Sequence, residues 1–348
     1  MKHTPLHQST NTLFWADHLR VFATISVILL HVSAPILYEF KKIPDNLWWV
    51  GNIYDGATRF CVPIFFMLTG ALLFRKEYSL TTFLKKRCYR IIPPFLFWSC
   101  IYIAYDFPYH RLQWDFSSLI LVFKTIFSNL LRGSEYHLWF VYVLIGIYLL
   151  IPILSKWIKN ASKKEIQYFL VIWGITSLID IPGVREYIRF VDLRNFSGFI
   201  GYTILGYYLS VYKISNKNIW YIFLAIGSAI TIIGTYYLSE QNNSFTNYFY
   251  GYLTFDTILC ATAIFILFKK AVITNPKYQK VIHSLSKKSY GIYLCHILIL
   301  SLLSSFNIDW KICHPSISIP VVTILCFTIS SLLIFFIGKI KNTTYITG

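Results

Sequence analysis

The sequence predicts an all-α polytopic membrane protein. It has about ten transmembrane helices, both termini on the cytoplasmic side, and an additional amphipathic helix at the outer interface. Three observations carry this reading. Of 348 residues, 56% are hydrophobic and only 14% charged, where a soluble domain has about a quarter of its residues charged. Apolar stretches of about 20 residues, the length that crosses a bilayer as a helix, recur from end to end. Lys and Arg are also unevenly spread: 22 of 32 fall in segments that the alternation of spans places on one side, the cytoplasmic one. Helices satisfy the backbone inside lipid, and the whole of 1–348 reads as a single transmembrane domain.

The elements follow in order. Met1 to Asn11 is polar, and the first apolar stretch runs on for a full span with no small-residue cleavage site, so 14–37 is expected to stay as a helix. The second span, 54–74, contains Pro63 and Gly70, which permit a kink and close packing. The third, 90–108, follows a basic inner segment. Residues 116–131 are apolar but interrupted by Lys124 and short for a span; making them one would turn every later Lys-rich loop outward, so they are expected to lie on the outer face. The remaining spans are expected at 136–155, 166–181, 196–212, 219–238, 250–268, 289–306 and 317–338. The inner segments are then the N-terminus, 75–90, 156–165, 213–218, 269–288 and 339–348. Of 15 acids, only Asp17, Glu77 and Glu165 fall on the inner side.

The net charge of +17 fits this positive-inside pattern, so no nucleic-acid partner is expected. The seven cysteines form no Cys-x-x-Cys pair and lie mostly within apolar segments, as small buried hydrophobes do. No spacing of His, Cys or carboxylates points to a metal.

The candidate chemistry begins in the first span. Arg20 and His31 are eleven positions apart, which on an α-helix is about three turns plus 20°, so they share one face about 16 Å apart. Ionisable groups in such a helix usually face a protein interior or a water-filled cavity. Equally, Arg20 can snorkel to the headgroups and His31 can serve as an interhelical hydrogen-bonder. Arg87 and Arg90, three apart at the mouth of the third span, can clamp phosphate or anchor anionic lipid; Lys85 and Lys86 stand beside them. Glu135, Tyr136, His137, Trp139 and Phe140 open the fourth span, as a sugar-binding shelf or as an interfacial aromatic belt. Asp55 and Arg59 form an i, i+4 pair at the outer end of the second span, either structural or functional. His296 closes Ser289-Tyr290-Gly-Ile-Tyr293-Leu-Cys-His296, where a lone His is more often a packing hydrogen-bonder. His18, His110, His283 and His314 stand singly and receive no role.

Together, Arg20/His31, the Val62–Gly70 run around Pro63, the arginines 87 and 90, and Ser289 to His296 resemble the integral-membrane acyltransferase family three. Tyr136 to Phe140, followed by Ile151-Pro152, is most similar to the branch that holds the enterobacterial common antigen O-acetyltransferase. The resemblance covers the whole chain. No fused outer hydrolase-like domain follows the tenth span within these residues, which leaves the acceptor unspecified.

The resemblance implies a multi-pass protein of the bacterial inner membrane. It would move an acyl group, usually acetyl, from cytoplasmic acyl-CoA to a hydroxyl of an outer glycan or lipid-linked sugar. Acetyl-CoA is a co-substrate in this reading, no cofactor is permanently bound, and membrane lipids surround the protein. His31 would be the general base, Arg20 would help hold the donor and Asp17 would orient Arg20. Arg87, Arg90 and Lys86 would meet the donor's phosphates. Arg59, Glu135, Tyr136, His137 and Trp139 would face the acceptor, with His296 a further candidate. The rival expectations are an exporter of polysaccharide or lipid-linked sugar and a membrane scaffold. An exporter should show paired discontinuous helices or internal symmetry, and the sequence shows neither.

Overall fold

The computed structural model describes residues 14–77, 79–106, 116–179, 181, 184, 196–214, 218–271, 273, 275–341 and 343–347. All regular elements among the described residues are helical. The first span is one helix, α1 (Phe14–Leu37), as expected.

The second expected span starts nine residues early and breaks. It forms α2 (Asp45–Thr58), opened by Pro44, and α3 (Cys61–Leu73), with a turn at Arg59 and Phe60. Pro63 sets the break: it has no N–H for the carbonyl of Arg59, and its ring crowds that carbonyl.

The basic segment before the third span is wound into helix as well. α4 runs Leu80–Asp106, so Lys85 to Arg90 are helical. The Ser79 hydroxyl accepts the amide of Thr82 at 3.4 Å and starts the helix. The expected end of this span at 107–108 lies outside the described residues.

Within the segment expected at the outer interface, 116–131, α5 (Leu119–Arg132) is capped by Ser118 and ended by Gly133, whose φ of 99° suits a residue without Cβ. None of its residues is buried; Leu119, Ile120, Phe123, Phe127 and Leu131 share one exposed apolar face. Tyr142 ties it to the bundle by donating to the carbonyl of Leu130.

A 3₁₀ turn, Tyr136–Leu138, leads into α6 (Trp139–Asn160). α7 (Lys163–Ile179) opens with a capping box: Ser162 N–H donates to Glu165 at 2.6 Å and Glu165 N–H to the Ser162 hydroxyl at 3.3 Å. Then come α8 (Ile200–Val211), α9 (Asn218–Gln241), a 3₁₀ turn at Tyr248–Tyr250, α10 (Phe255–Lys270), α11 (Pro276–Ser305), α12 (Pro315–Ile337) and the short α13 (Thr344–Thr347).

Among the described residues, seven helical stretches are long and apolar enough to cross a membrane: Phe14–Leu37, Asp45–Leu73, Tyr136–Asn160, Asn218–Gln241, Tyr248–Lys270, Pro276–Ser305 and Pro315–Ile337. The other three expected spans correspond to α4, which carries the basic run, to α7 and to α8. Of the span expected at 196–212, α8 takes 12 residues, about 18 Å of helix, against a hydrocarbon core of about 30 Å. Residues 197–199 and 212 of that apolar run lie outside helix.

α8 packs inside the bundle against α3, backbone to backbone. A Cβ added to Gly70 would stand 1.7 Å from the carbonyl oxygen of Thr203, and one added to Gly206 would stand 2.0 Å from that of Met67. This is the small-residue packing by which membrane helices approach closely. α11 begins well inside the segment expected as the 269–288 loop, with Asn275 capping the amides of Lys277 and Tyr278. α1 and α11 run parallel: Arg20 meets Ser286 and, further along both helices, His31 meets His296.

Candidate active site

Asp17 organises one end of the α1–α11 pair. Its Oδ1 accepts the Ser286 hydroxyl at 2.6 Å and lies 3.3 Å from Arg20 Nη1; its Oδ2 accepts His283 Nδ1 at 2.7 Å. Arg20 also donates to the Ser286 oxygen at 2.8 Å. One carboxylate and one hydroxyl thus fix the direction of the guanidinium.

Arg20 borders a cavity of about 280 Å³. Its basic side carries Lys76, Arg87, Arg90 and Lys287, together with Tyr148 and Ser289. The Arg87 guanidinium carbon lies 5.6 Å from the Phe83 ring centre and 5.8 Å from that of Tyr148, and its buried Nε has no hydrogen-bond partner among the described residues. The apolar side is built by Phe65, Leu68 and Leu144, and it ends at Phe140 and Tyr293. Those two rings pack against each other at 5.4 Å.

Behind that wall three imidazoles meet. The His296 ring lies 5.3 Å from His31 and 5.1 Å from His137. His296 Nδ1 is 2.6 Å from the Tyr293 carbonyl oxygen; a carbonyl only accepts, so Nδ1 carries the proton, and Nε2 of the neutral ring presents a lone pair. That Nε2 and both ring nitrogens of His137 are buried without hydrogen-bond partners among the described residues. Tyr293 donates to the His137 carbonyl, and the Tyr136 hydroxyl lies 3.3 Å from His31 Nδ1. His31 is half-buried, and Tyr136 is 60% exposed.

The sequence from Thr58 to Cys61 breaks where a buried ion pair sits. Arg59 pairs with Asp55, which is fully buried, and donates to the Tyr250 carbonyl at 3.3 Å. Its guanidinium carbon stands 4.1 Å from the Tyr250 ring centre and 5.9 Å from that of Tyr252. Arg59 also lines a pocket of about 390 Å³ with Tyr38, Phe245, Asn247 and Tyr248. Ala34 is in the same lining, one helical turn beyond His31.

Comparison with known proteins decides the family. The family model described as an acyltransferase domain, acyltransferase family three, matches residues 13–338. This chain belongs to that family. As a member of acyltransferase family three it is an acyltransferase. It is 23% identical over 320 residues to the "Putative acetyltransferase ORF330" of Acidianus two-tailed virus, covering 88% of this chain and 89% of the viral protein. It is 23% identical over 334 residues to O-acetyltransferase OatA of Staphylococcus aureus strain NCTC 8325, covering 85% of this chain and 52% of OatA. The chain therefore spans about half the length of the staphylococcal relative. No solved structure matches it.

The candidate residues singled out in the sequence fall into both halves of this arrangement. Arg20, Arg87 and Arg90 border the cavity, and Asp17 holds Arg20. His31, His137 and His296 meet beyond it. Lys86 and Lys85 are exposed on α4 and are not among the cavity's lining residues. Glu135 caps the 3₁₀ turn, its carboxylate accepting the Tyr136 N–H at 3.1 Å. Trp139 stacks on Tyr252 at 5.6 Å and leans on Phe199.

Residues the sequence reading left without a role are Lys76, Lys287, Tyr148, Ser286 and His283. The last two had a signal: His283, Ser286, Ser289, Tyr293 and His296 recur every three or four positions, a polar stripe that continues from a Lys-rich stretch into an apolar one. Glu77, on the loop before α4, is bonded to Lys159 at 2.7 Å; that hydrogen bond and the lysine's charge hold its carboxyl below the usual range.

Proposed function

We propose that the chain moves an acetyl group from cytoplasmic acetyl-CoA to a hydroxyl of a cell-envelope glycan or lipid-linked sugar on the outer side of a bacterial plasma membrane. The observation that carries this is the cavity, basic at one end and closed at the other by Tyr293, one turn before the histidine cluster. The positive-inside rule turns the basic end to the cytoplasm, where coenzyme A is found. Arg20, Arg87 and Arg90 meet its anionic groups, and the thin pantetheine arm extends along the apolar walls. The names of the relatives support acetyl as the group and oxygen as its acceptor.

His31 is the general base. The acceptor oxygen bonds to the thioester carbonyl carbon, its proton passes to the imidazole, the carbon–sulfur bond breaks, and the departing thiolate takes that proton. Such a base typically contributes about 10²–10⁴ in rate. The acceptor approaches by the pocket that holds Arg59, Tyr38 and Tyr248, next to Tyr136. Reaction requires Tyr293 or Phe140 to move, since these side chains separate the cavity from His31.

Purified protein in liposomes, given acetyl-CoA labelled in the acetyl group, tests the reading. Time-dependent release of labelled acetate, or transfer of label to an added envelope-glycan extract, is expected, and the His31→Ala protein should lose it. Label that stays on coenzyme A would favour an exporter or a scaffold.

A further inference from the structure

We infer that the 3′-phosphate end of the donor seats in a second basic pocket beside the cavity, held by Lys76, Lys156 and Lys159. This rests on acyl-CoA being the donor. The pocket measures about 430 Å³ and lies between the loop before α4 and the far half of α6. Its polar lining is Lys76, Ser79, Ser155, Lys156 and Lys159, with Glu77 the one carboxylate in its lining among the described residues. Glu77 is already bonded to Lys159, so the lining keeps a net positive charge.

Three features join this pocket to the cavity. Leu73 and Lys76 line both. Arg87 stands between them, its guanidinium near Phe83, which lines the pocket, and near Tyr148, which lines the cavity. The buried Arg87 Nε has no partner among the described residues, as expected of a donor waiting for an acceptor oxygen. Ser79 also begins α4, and a helix N-terminus adds positive partial charge where a phosphate would sit.

The shape of the ligand fits the order of the two spaces. Coenzyme A has a thin arm at one end and a bulky adenosine with a 3′-phosphate at the other. The partly apolar cavity suits the arm, Arg87 and Lys76 at the junction suit the diphosphate, and the lysine-rich pocket suits the nucleotide.

Binding of CoA and of 3′-dephospho-CoA to the full-length protein in detergent, by titration calorimetry, tests this. Wild type should bind CoA about tenfold or more tightly than dephospho-CoA, the size of one charge-assisted hydrogen bond. Lys156→Gln/Lys159→Gln should bring CoA down to the affinity of dephospho-CoA and leave dephospho-CoA unchanged. Equal binding of both ligands by wild type would overturn the inference, and so would lysine variants that bind both as wild type does, the result expected if the lysines serve lipid headgroups. Should the double variant lose both ligands, Lys156→Gln alone repeats the comparison, and an equal loss of both ligands there also overturns it. If wild type binds no CoA at all, the donor assignment itself falls; any of the other negative results leaves that assignment standing.

Discussion

Gly70→Ala tests whether the α3–α8 contact is as close as the structure has it. The added methyl would stand 1.7 Å from the carbonyl oxygen of Thr203 and 2.6 Å from its carbon. Ordinary contact begins at 3.4 Å, so the two helices must separate by about 1.7 Å, the difference between those values. Both obstructing atoms are backbone, so no side-chain rotation relieves them. Overpacking of this kind costs about 1–3 kcal/mol, with the upper end expected where backbone meets backbone. At about 2–4 °C per kcal/mol for a chain of some 200 residues, and less for a longer one, the melting temperature should fall by several degrees. α3 also carries Phe65, Leu68 and Thr69 into the cavity wall, so CoA affinity should fall with it. The assay is scanning fluorimetry in detergent beside Gly146→Ala, a helical glycine whose added Cβ meets nothing within 4 Å. Gly146→Ala should hold or slightly raise the melting temperature through helix propensity. If Gly70→Ala melts with wild type, or Gly146→Ala falls as far, the packing argument is wrong.

Three further outcomes are expected. His31→Ala should lower acetyl transfer by about 10²–10⁴ while CoA binding and expression stay intact, as read from labelled-acetate release and calorimetry; retained activity removes His31 as the base. Asp17→Asn takes away the carboxylate that aligns Arg20 and accepts from Ser286 and His283, and kcat/KM for acetyl-CoA should drop about tenfold or more. Arg59→Met strands a fully buried Asp55, at about 3–5 kcal/mol, and should abolish the monodisperse peak in size exclusion. Asp55→Leu/Arg59→Met, which removes both charges, should restore part of that peak.

Much of the fold was legible because apolar length and polar interruption are local properties. α1, α9 and α12 start and end close to where the apolar runs do, and 119–132 is the amphipathic helix its pattern promised. What the runs did not reveal is where helix stops within them. Pro63 was readable as a kink, but its effect falls four residues earlier, at Arg59, and α8 is shorter than its apolar run. Conversely, residues 80–89 and 276–288 look like polar loops yet wind into helix behind Ser79 and Asn275 caps.

The candidate site was legible in its parts and not in its assembly. Arg20, His31, Arg87 and Arg90 were visible as costly polar groups in or beside apolar helices. His31, His137 and His296 come from positions more than a hundred residues apart, and no local pattern says that their rings converge. His283 looked solitary because its partner, Asp17, is 266 positions away. Lys156 and Lys159 read as an ordinary inner-loop charge, and only the fold of α6 over the start of α4 gives them a pocket.

The aromatic pair Phe140 and Tyr293 has a consequence for the bilayer as an insulator. Polar groups entering a membrane protein from opposite faces offer ions and water a route through it, and each charge moved across 100 mV is worth about 2.3 kcal/mol to the cell. Two rings in contact, one of them latched to the backbone at His137, interrupt that route with an oily septum. A cell can keep such a protein in an energised membrane at rest without short-circuiting its gradient.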